Sequence, residues 1–253
     1  MYCPILADVN RQLKKNIRWS PLPSMTGSNS LFIGKNADSL VLRINAAPNL
    51  TPGISRAREA AVLRQIQGQT WGPEIIINHW PHGWCTSRFH GPTISNRINE
   101  QIRHDLSQII ADMHEIRQGA SWDYGRLWQH YRSNLPKNCR RELEQLIVEI
   151  GQLPSLPSCL VHHDLHPGNI CQEKNRLVII DWEYAGIGLP WFDLAALQQH
   201  FSFTLADIAR FPLVSSLDRS NLQAGLVLAI RASERLASLW YRIRPTSTMS
   251  GRV

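Results

Sequence analysis

No run of about eighteen uncharged apolar residues, the length that reads as a membrane span, occurs anywhere in this chain. Its first residues lack the basic start and following apolar stretch of a secretory leader. On those grounds neither a membrane span nor an export signal is expected, and a soluble, cytoplasmic protein is. Cysteine is scarce and odd in number, five residues with no CxxC or other paired ligand spacing. That suits a reducing compartment better than a disulfide framework or a cysteine zinc site. Repeats, heptads and low-complexity blocks are absent from the 253 residues, so the chain reads as one unit able to bury a substantial core. Acidic residues are in deficit, 20 against 27 basic, for a formal charge of +7. The basic residues are dispersed apart from short clusters such as Arg11 to Arg18 and Arg140-Arg141, and no nucleic-acid module accompanies them. Neither nucleic acid nor a membrane is expected as a partner, and positive charge of this kind also steers ATP.

What the chain does hold is the run Val161-His-His-Asp-Leu-His-Pro-Gly-Asn169, followed by Leu177-Val-Ile-Ile-Asp181-Trp-Glu-Tyr-Ala-Gly186. A histidine precedes Asp164, an asparagine follows it, and a second aspartate closes an apolar strand. This is the order used to activate a hydroxyl and hold magnesium beside ATP. Asp164 is expected to orient an acceptor hydroxyl and take its proton as the bond to phosphorus forms. Magnesium prefers hard oxygen ligands and keeps several waters, so the carboxylate of Asp181 and the amide carbonyl of Asn169 suffice beside phosphate oxygens. Ile170-Cys-Gln172 and Leu177 to Ile180 read as strands joined by the polar turn Glu173-Lys-Asn-Arg176, a hairpin that brings Asn169 and Asp181 together. Two other readings stand beside this one. His162, His163, His166 and Asp164 are all of zinc-ligand type, and a structural loop explains the Pro-Gly but not the sequence of acid, amide and second acid.

These motifs, with Phe192-Asp193-Leu-Ala195 downstream, resemble the aminoglycoside phosphotransferase and choline kinase superfamily. The form at 180–186 is most similar to bacterial thiamine kinases and choline kinases. The resemblance is strong over 161–197 and runs in the right order over 24–117. It implies an α+β, two-lobed, protein-kinase-like fold: an N-terminal β-rich, ATP-binding lobe over 1–88 and a larger, mostly helical catalytic and substrate-binding lobe over 89–253. It also implies magnesium, with ATP as co-substrate, and a monomer or dimer.

Upstream, Leu31 to Lys35 and Ser39 to Ile44 are strand-like and joined by Asn36-Ala-Asp38. By the resemblance, Arg43 occupies the place of the strand cation that contacts nucleotide phosphates, where its permanently charged guanidinium suits phosphate oxygens. The alternative is an arginine exposed on an edge strand. Glu59 is the one acidic residue between Ala46 and Pro73, on a run of good helix formers from Arg56 to Ile66. It either pairs with Arg43 or is a solvated helix acid. The phosphate-covering loop, Ser24 to Leu31, has a single glycine, Gly27, with Asn29 where these kinases often carry an asparagine. Gly83 to His90 reads as a strand entering a hinge, and the resemblance implies that backbone groups near Thr86 to Phe89, Ser87 and Phe89 among them, hydrogen-bond the purine. Ile98, Ile102, Leu106, Ile109, Met113 and Ile116 then recur at helical spacing as core, which makes His114 structural.

Glu183 and Tyr184 follow the metal aspartate, where a carboxylate and an aromatic face suit a cationic substrate. With the resemblance this favours a small cationic alcohol such as thiamine or choline. A long helix from Asn221 to Arg242 ends in Trp240 and Tyr241, which either wall the substrate pocket or pack as core. The resemblance makes Asp193 and His162 supports of the catalytic loop, and lets His166 face phosphate or substrate. His163 stands where the family usually has glycine or arginine. The expected function is an ATP- and magnesium-dependent kinase acting on a small cationic alcohol. The alternatives are an aminoglycoside or other antibiotic O-phosphotransferase, and a nucleotide-binding regulator, for which the glycine-poor loop speaks. The tail from Arg244 to Val253 is small and polar and receives no function.

Overall fold

The computed structural model describes residues 4–22, 29–36, 39–47, 53–94 and 98–243. Strands β1 (Trp19–Leu22), β2 (Ser30–Gly34), β3 (Leu40–Ile44), β4 (Ile75–His79) and β5 (Trp84–Arg88) form one antiparallel sheet in the order β1-β2-β3-β5-β4. The period of two explains its faces. Leu40 and Leu42 are buried, whereas Arg43 belongs to the opposite face and stands opposite Leu31 and Cys85 in the ladder. Helix α1 (Pro4–Leu13) closes a small core of Val9, Leu42 and Trp84. The Trp84 indole donates to the Asp8 carboxylate at 3.2 Å, so the one polar atom of this buried ring is satisfied.

Helix α2 (Arg56–Gln65) starts at Ser55, whose hydroxyl accepts from the Arg58 amide. It lies within the first lobe by sequence, yet Val62, Leu63 and Ile66 belong to the same core as Ile110, Trp182 and Leu194 of the second. The lobes are therefore joined by packing as well as by the hinge. At the hinge Gly91 has φ +88°, and a Cβ there would lie 3.0 Å from the Gln172 carbonyl. Only glycine lets the chain pass so close in that conformation.

The second part is mostly helical: α3 (Glu100–Glu115), capped by the Asn99 side chain, α4 (Tyr124–Asn134), α5 (Arg140–Gly151), α6 (Trp191–Phe201), α7 (Leu205–Ile208) and α8 (Arg219–Ile243). Two short ladders interrupt them. β6 (Cys159–Val161) pairs with β9 (Gly186–Gly188), and β7 (Ile170–Glu173) pairs with β8 (Arg176–Ile179). The architecture is a two-lobed, kinase-like α+β fold with a small sheet-rich lobe and a larger helical one. Among the described residues no helix is long and apolar enough to cross a membrane.

Candidate active site

The loop after β6 is held from below by one buried carboxylate. Asp193, near the start of α6, accepts from the backbone amides of His162 at 2.7 Å and His163 at 2.9 Å. Burial pushes its pKa up to about 7, and the two N–H donors pull it back down. Accepting from two successive amides fixes the turn, in which His163 takes φ +64°. His162 is fully buried, with Nε2 3.0 Å from the Ile180 carbonyl and its ring edge-on to Trp182. Because a carbonyl only accepts, Nε2 carries the proton. Burial lowers the His162 pKa to about 4, so the ring is neutral and fastens the loop to the end of β8.

Asp164, Asn169 and Asp181 are brought to one place by the hairpin read from the sequence. Ile170 stands opposite Ile179 in the ladder, and the Ile180 amide donates to the Asn169 carbonyl at 2.9 Å. The Asn169 side-chain amide donates to both the carbonyl and Oδ2 of Asp164. Its Oδ1 is thus left for another partner. Asp181, at φ +64°, has a buried Oδ1 with no hydrogen-bond partner; the nearest cation is Arg43 Nη1 at 3.7 Å. Burial raises the pKa of Asp164 to about 7, against the Asn169 hydrogen bond. Burial and the Glu183 charge raise Asp181 to about 7, against Arg43. His166 accepts from the Gly168 amide through Nδ1, and its Nε2 lies 3.8 Å from Asp164 Oδ2.

On the side of the five-stranded sheet Arg43 meets Glu59 at 2.6 Å, and Arg56 bridges Glu59 and Glu183 at 2.8 Å each. Glu59 is buried, and its pKa is held below the usual carboxylate value by Arg43 and Arg56 against the cost of burial. Asn29 joins this network, donating to Glu183 Oε2 at 2.8 Å and accepting from the Ala46 amide and Arg56. Glu183 lines a cavity beside Asp164 and is also tied into this network. Its carboxylate is 4% exposed and committed to Arg56 and Asn29, because a buried charge needs a cation and donors. The Phe89 amide donates to the Ser39 carbonyl, and Ser87 sits inside the ladder opposite Val41 and Ile75. Gly27 lies outside the described residues.

A cavity of about 510 Å³ opens beside Asp164 and His166. Trp122, Tyr124, Tyr184 and Trp240 supply its aromatic walls. The Trp240 indole donates to the Tyr184 hydroxyl at 3.0 Å, which puts the end of α8 on the cavity wall. Trp122 stacks on His163 with centroids 4.8 Å apart. The Tyr124 hydroxyl accepts from the Leu189 amide and is hydrogen-bonded to His163 Nε2 at 2.7 Å. Burial and the Arg58 charge lower the His163 pKa to about 3, leaving a neutral ring beneath the cavity. Among the described residues that line it there is no Lys or Arg, but there are Asp164, Asp181, Glu183 and Glu234. A second cavity, of about 480 Å³ between α3 and the turn at Pro212, holds none of the expected site residues.

Trp122, Tyr124, Arg56 and Arg58 were not singled out from sequence. Only the two arginines left a trace there, flanking the lone acid Glu59. His114 lies away from this site, buried against Phe211, and burial lowers its pKa to about 4. No group of three or more His, Cys, Asp or Glu side chains among the described residues is gathered so as to hold a metal ion, which tells against a zinc cluster.

Comparison with known proteins gives this geometry its setting. The phosphotransferase enzyme family matches residues 18–226. Protein LicA of Haemophilus influenzae is 44% identical over 211 residues, which are 76% of this chain and 61% of that protein. The chain thus spans about 61% of the length of that relative. Choline kinase LicA from Streptococcus pneumoniae has the same fold, with a TM-score of 0.67 at 18% identity over 92% of this chain and 98% of that one. The ADP-bound aminoglycoside phosphotransferase APH(2'')-Ib gives 0.60 at 15% identity, covering 100% and 93%. With its motifs, its two-lobed fold and most of its length matched, the chain belongs to the phosphotransferase enzyme family.

Proposed function

We propose that this protein transfers the γ-phosphoryl group of ATP to the hydroxyl of a small cationic alcohol of the choline or thiamine type. One observation carries the acceptor class. In a chain with a formal charge of +7, the cavity beside Asp164 has aromatic walls and carboxylates but no Lys or Arg among its described lining residues. Aromatic faces attract a cation by about 0.5–1 kcal/mol when exposed and about 2 kcal/mol when desolvated. An anionic acceptor would meet carboxylates and ring faces of the same sign. The similarity to the two LicA proteins, that of Streptococcus pneumoniae being a choline kinase, supports the same reading.

Chemically, little covalent work falls to the protein. Asp164 accepts the hydroxyl proton as the acceptor oxygen bonds to the γ-phosphorus, and the bond from that phosphorus to the β–γ bridging oxygen breaks to leave ADP. Arg43, oriented by Glu59, places a permanent charge on the phosphates, and the gain comes from alignment and charge stabilisation. Asp193 and His162 hold the loop that presents Asp164. Asn29, tied to Glu183 and Arg56, fixes the end of the glycine-poor phosphate loop by side-chain hydrogen bonds.

The residues present fit magnesium. Asp181 Oδ1 is a buried oxygen without a hydrogen-bond partner, and Asn169 has its amide nitrogen occupied and its carbonyl oxygen left as an acceptor. Those two hard oxygens are the ligands we assign. When bound, the ion neutralises charge on the phosphate oxygens.

The direct test is ADP release with magnesium and ATP across choline, thiamine, ethanolamine and an aminoglycoside panel, with Asp164→Ala protein as blank. One responsive cationic alcohol, silent in the variant, is the expected result. Response to aminoglycosides alone would move the assignment to the antibiotic phosphotransferases. Nucleotide binding with no transfer to any alcohol would favour a regulator.

A further inference from the structure

The first turns of α2 send three charged side chains to three places. Arg56 reaches the Glu183 carboxylate, Glu59 reaches Arg43, and Arg58 takes a course of its own. Its Nε donates to the Ala185 carbonyl at 3.0 Å, and Nη2 donates to the carbonyls of Gly53 at 2.9 Å and Glu183 at 3.4 Å. Its Cζ lies 4.0 Å from the centroid of the Trp122 ring. A guanidinium offers five N–H donors in a rigid plane, so it can fix several carbonyls and stack on a ring at once, which lysine cannot. Burial lowers the Arg58 pKa to about 10, which still leaves it charged at neutral pH.

The surroundings are shaped for this side chain. A Cβ on Gly186 would lie 3.2 Å from Arg58 Cδ and 3.0 Å from the Ala120 carbonyl. Trp122 is held from the other direction by its amide on the Ile187 carbonyl at 2.9 Å and by its stack on His163. The carbonyls of Glu183 and Ala185 flank Tyr184, the second aromatic wall. Two walls of the cavity are therefore referenced to one side chain of α2, whose next residue, Glu59, holds Arg43. The helix itself is packed into the main core through Val62, Leu63 and Ile66. Packed side chains on a rigid element are what carry energy between sites.

We propose that Arg58 is a positioning residue that couples the Trp122 wall of the acceptor cavity to the Arg43–Glu59 pair on the nucleotide side. This rests on the reading of the cavity and ion pair given above. Displacing Trp122 shifts its stacked guanidinium, and with it the turn of helix that orients Glu59. Removing Trp122 leaves Arg58 without its ring, so nucleotide affinity falls although Trp122 lies on the cavity wall and not in the Arg43–Glu59 pair.

The test is a double-mutant cycle on the full chain, with magnesium and AMP-PNP as probe and no alcohol present, read by calorimetric titration. Trp122→Ala is expected to weaken nucleotide binding at least about fivefold, the lower end of measured coupling between sites. On an Arg58→Met background, which keeps apolar bulk but no donors, the same substitution is expected to change affinity by less than about twofold. Arg58→Lys, which keeps charge without the planar fork, carries the same cycle if melting curves show the methionine variant unfolded. Equal effects of Trp122→Ala on both backgrounds, or none on either, overturn the coupling. Because no alcohol is used, an error in the acceptor class leaves this test standing. Failure of the unsubstituted protein to bind the nucleotide would overturn the phosphotransferase reading itself, and the coupling with it.

Discussion

Asn169 donates its side-chain amide twice to Asp164, to the main-chain carbonyl at 2.9 Å and to carboxylate Oδ2 at 3.0 Å. The second bond favours the charged form of the base, while burial opposes it and raises its pKa to about 7. A base must be deprotonated to act, so turnover is expected to rise with pH through about 7 and to fall on the acid side. Asn169→Ala removes a contribution that lowers this pKa, so the acid limb should move to higher pH as kcat falls. A pH–rate profile of the two proteins checks this. An acid limb that stayed in place would show that Asn169 does not tune Asp164.

Glu183 gives a sharper split. Its carboxylate lines the cavity but holds Arg56 and Asn29 beside the Arg43–Glu59 pair, so Glu183→Gln is expected to act first on ATP. Losing one charge-assisted hydrogen bond costs about 1.5–3 kcal/mol, and about 1.4 kcal/mol is a factor of ten. The KM for ATP is expected to rise about tenfold while the KM for the alcohol holds within about twofold. Steady-state kinetics with each substrate varied in turn decides it, and the reverse pattern would return Glu183 to the acceptor site.

Much of this was legible in the sequence, for local reasons. The hairpin at β7 and β8, the helix α3 and the helix α2 follow from periods of two and 3.6 and from turn residues, all of which act over a few positions. Asp164, Asn169 and Asp181 lie on the two sides of one such hairpin, so their meeting was readable. The Arg56 partner of Glu183 was not readable, because nothing around Asp181 in the sequence points to a residue 127 positions away on α2. Trp122 and Tyr124 come from the approach to α4, and only tertiary packing carries them to His163. The pairing of the Phe89 amide with the Ser39 carbonyl was likewise not readable, since side-chain pattern does not report backbone partners.

Gly225 on α8 is a packing residue with a measurable cost of replacement. A Cβ there would lie 2.2 Å from the fully buried ring of Trp191 on α6, whose indole is already fixed to the Pro154 carbonyl at 2.8 Å. The ring has no free end to swing away. Overpacking of this kind costs about 1–3 kcal/mol, with each kcal/mol worth about 2–4 °C in a protein of this size. Gly225→Ala should therefore lower the melting temperature by several degrees, and an unchanged melting curve would mean that α6 and α8 part easily.

The hinge supplies the last prediction, through a carboxylate shared by several donors. Glu173 at the end of β7 meets His90 at 3.0 Å, Arg176 at 2.7 Å and Arg88 at 3.1 Å. The hydrogen bonds from His90 and Arg176 hold its pKa down to about 2, from an ordinary 4.5. A folded-state pKa below the unfolded one means the charged form stabilises the fold. That contribution is complete above about pH 4.5 and is lost as pH falls through about 2. Glu173→Gln should thus lower resistance to urea at pH 7, and the gap between the two proteins should narrow as the pH drops below 4.5. Urea titrations at stepped pH measure that gap directly. A gap independent of pH would mean that Glu173 holds the hinge by shape and neutral hydrogen bonds, and that its charge contributes nothing.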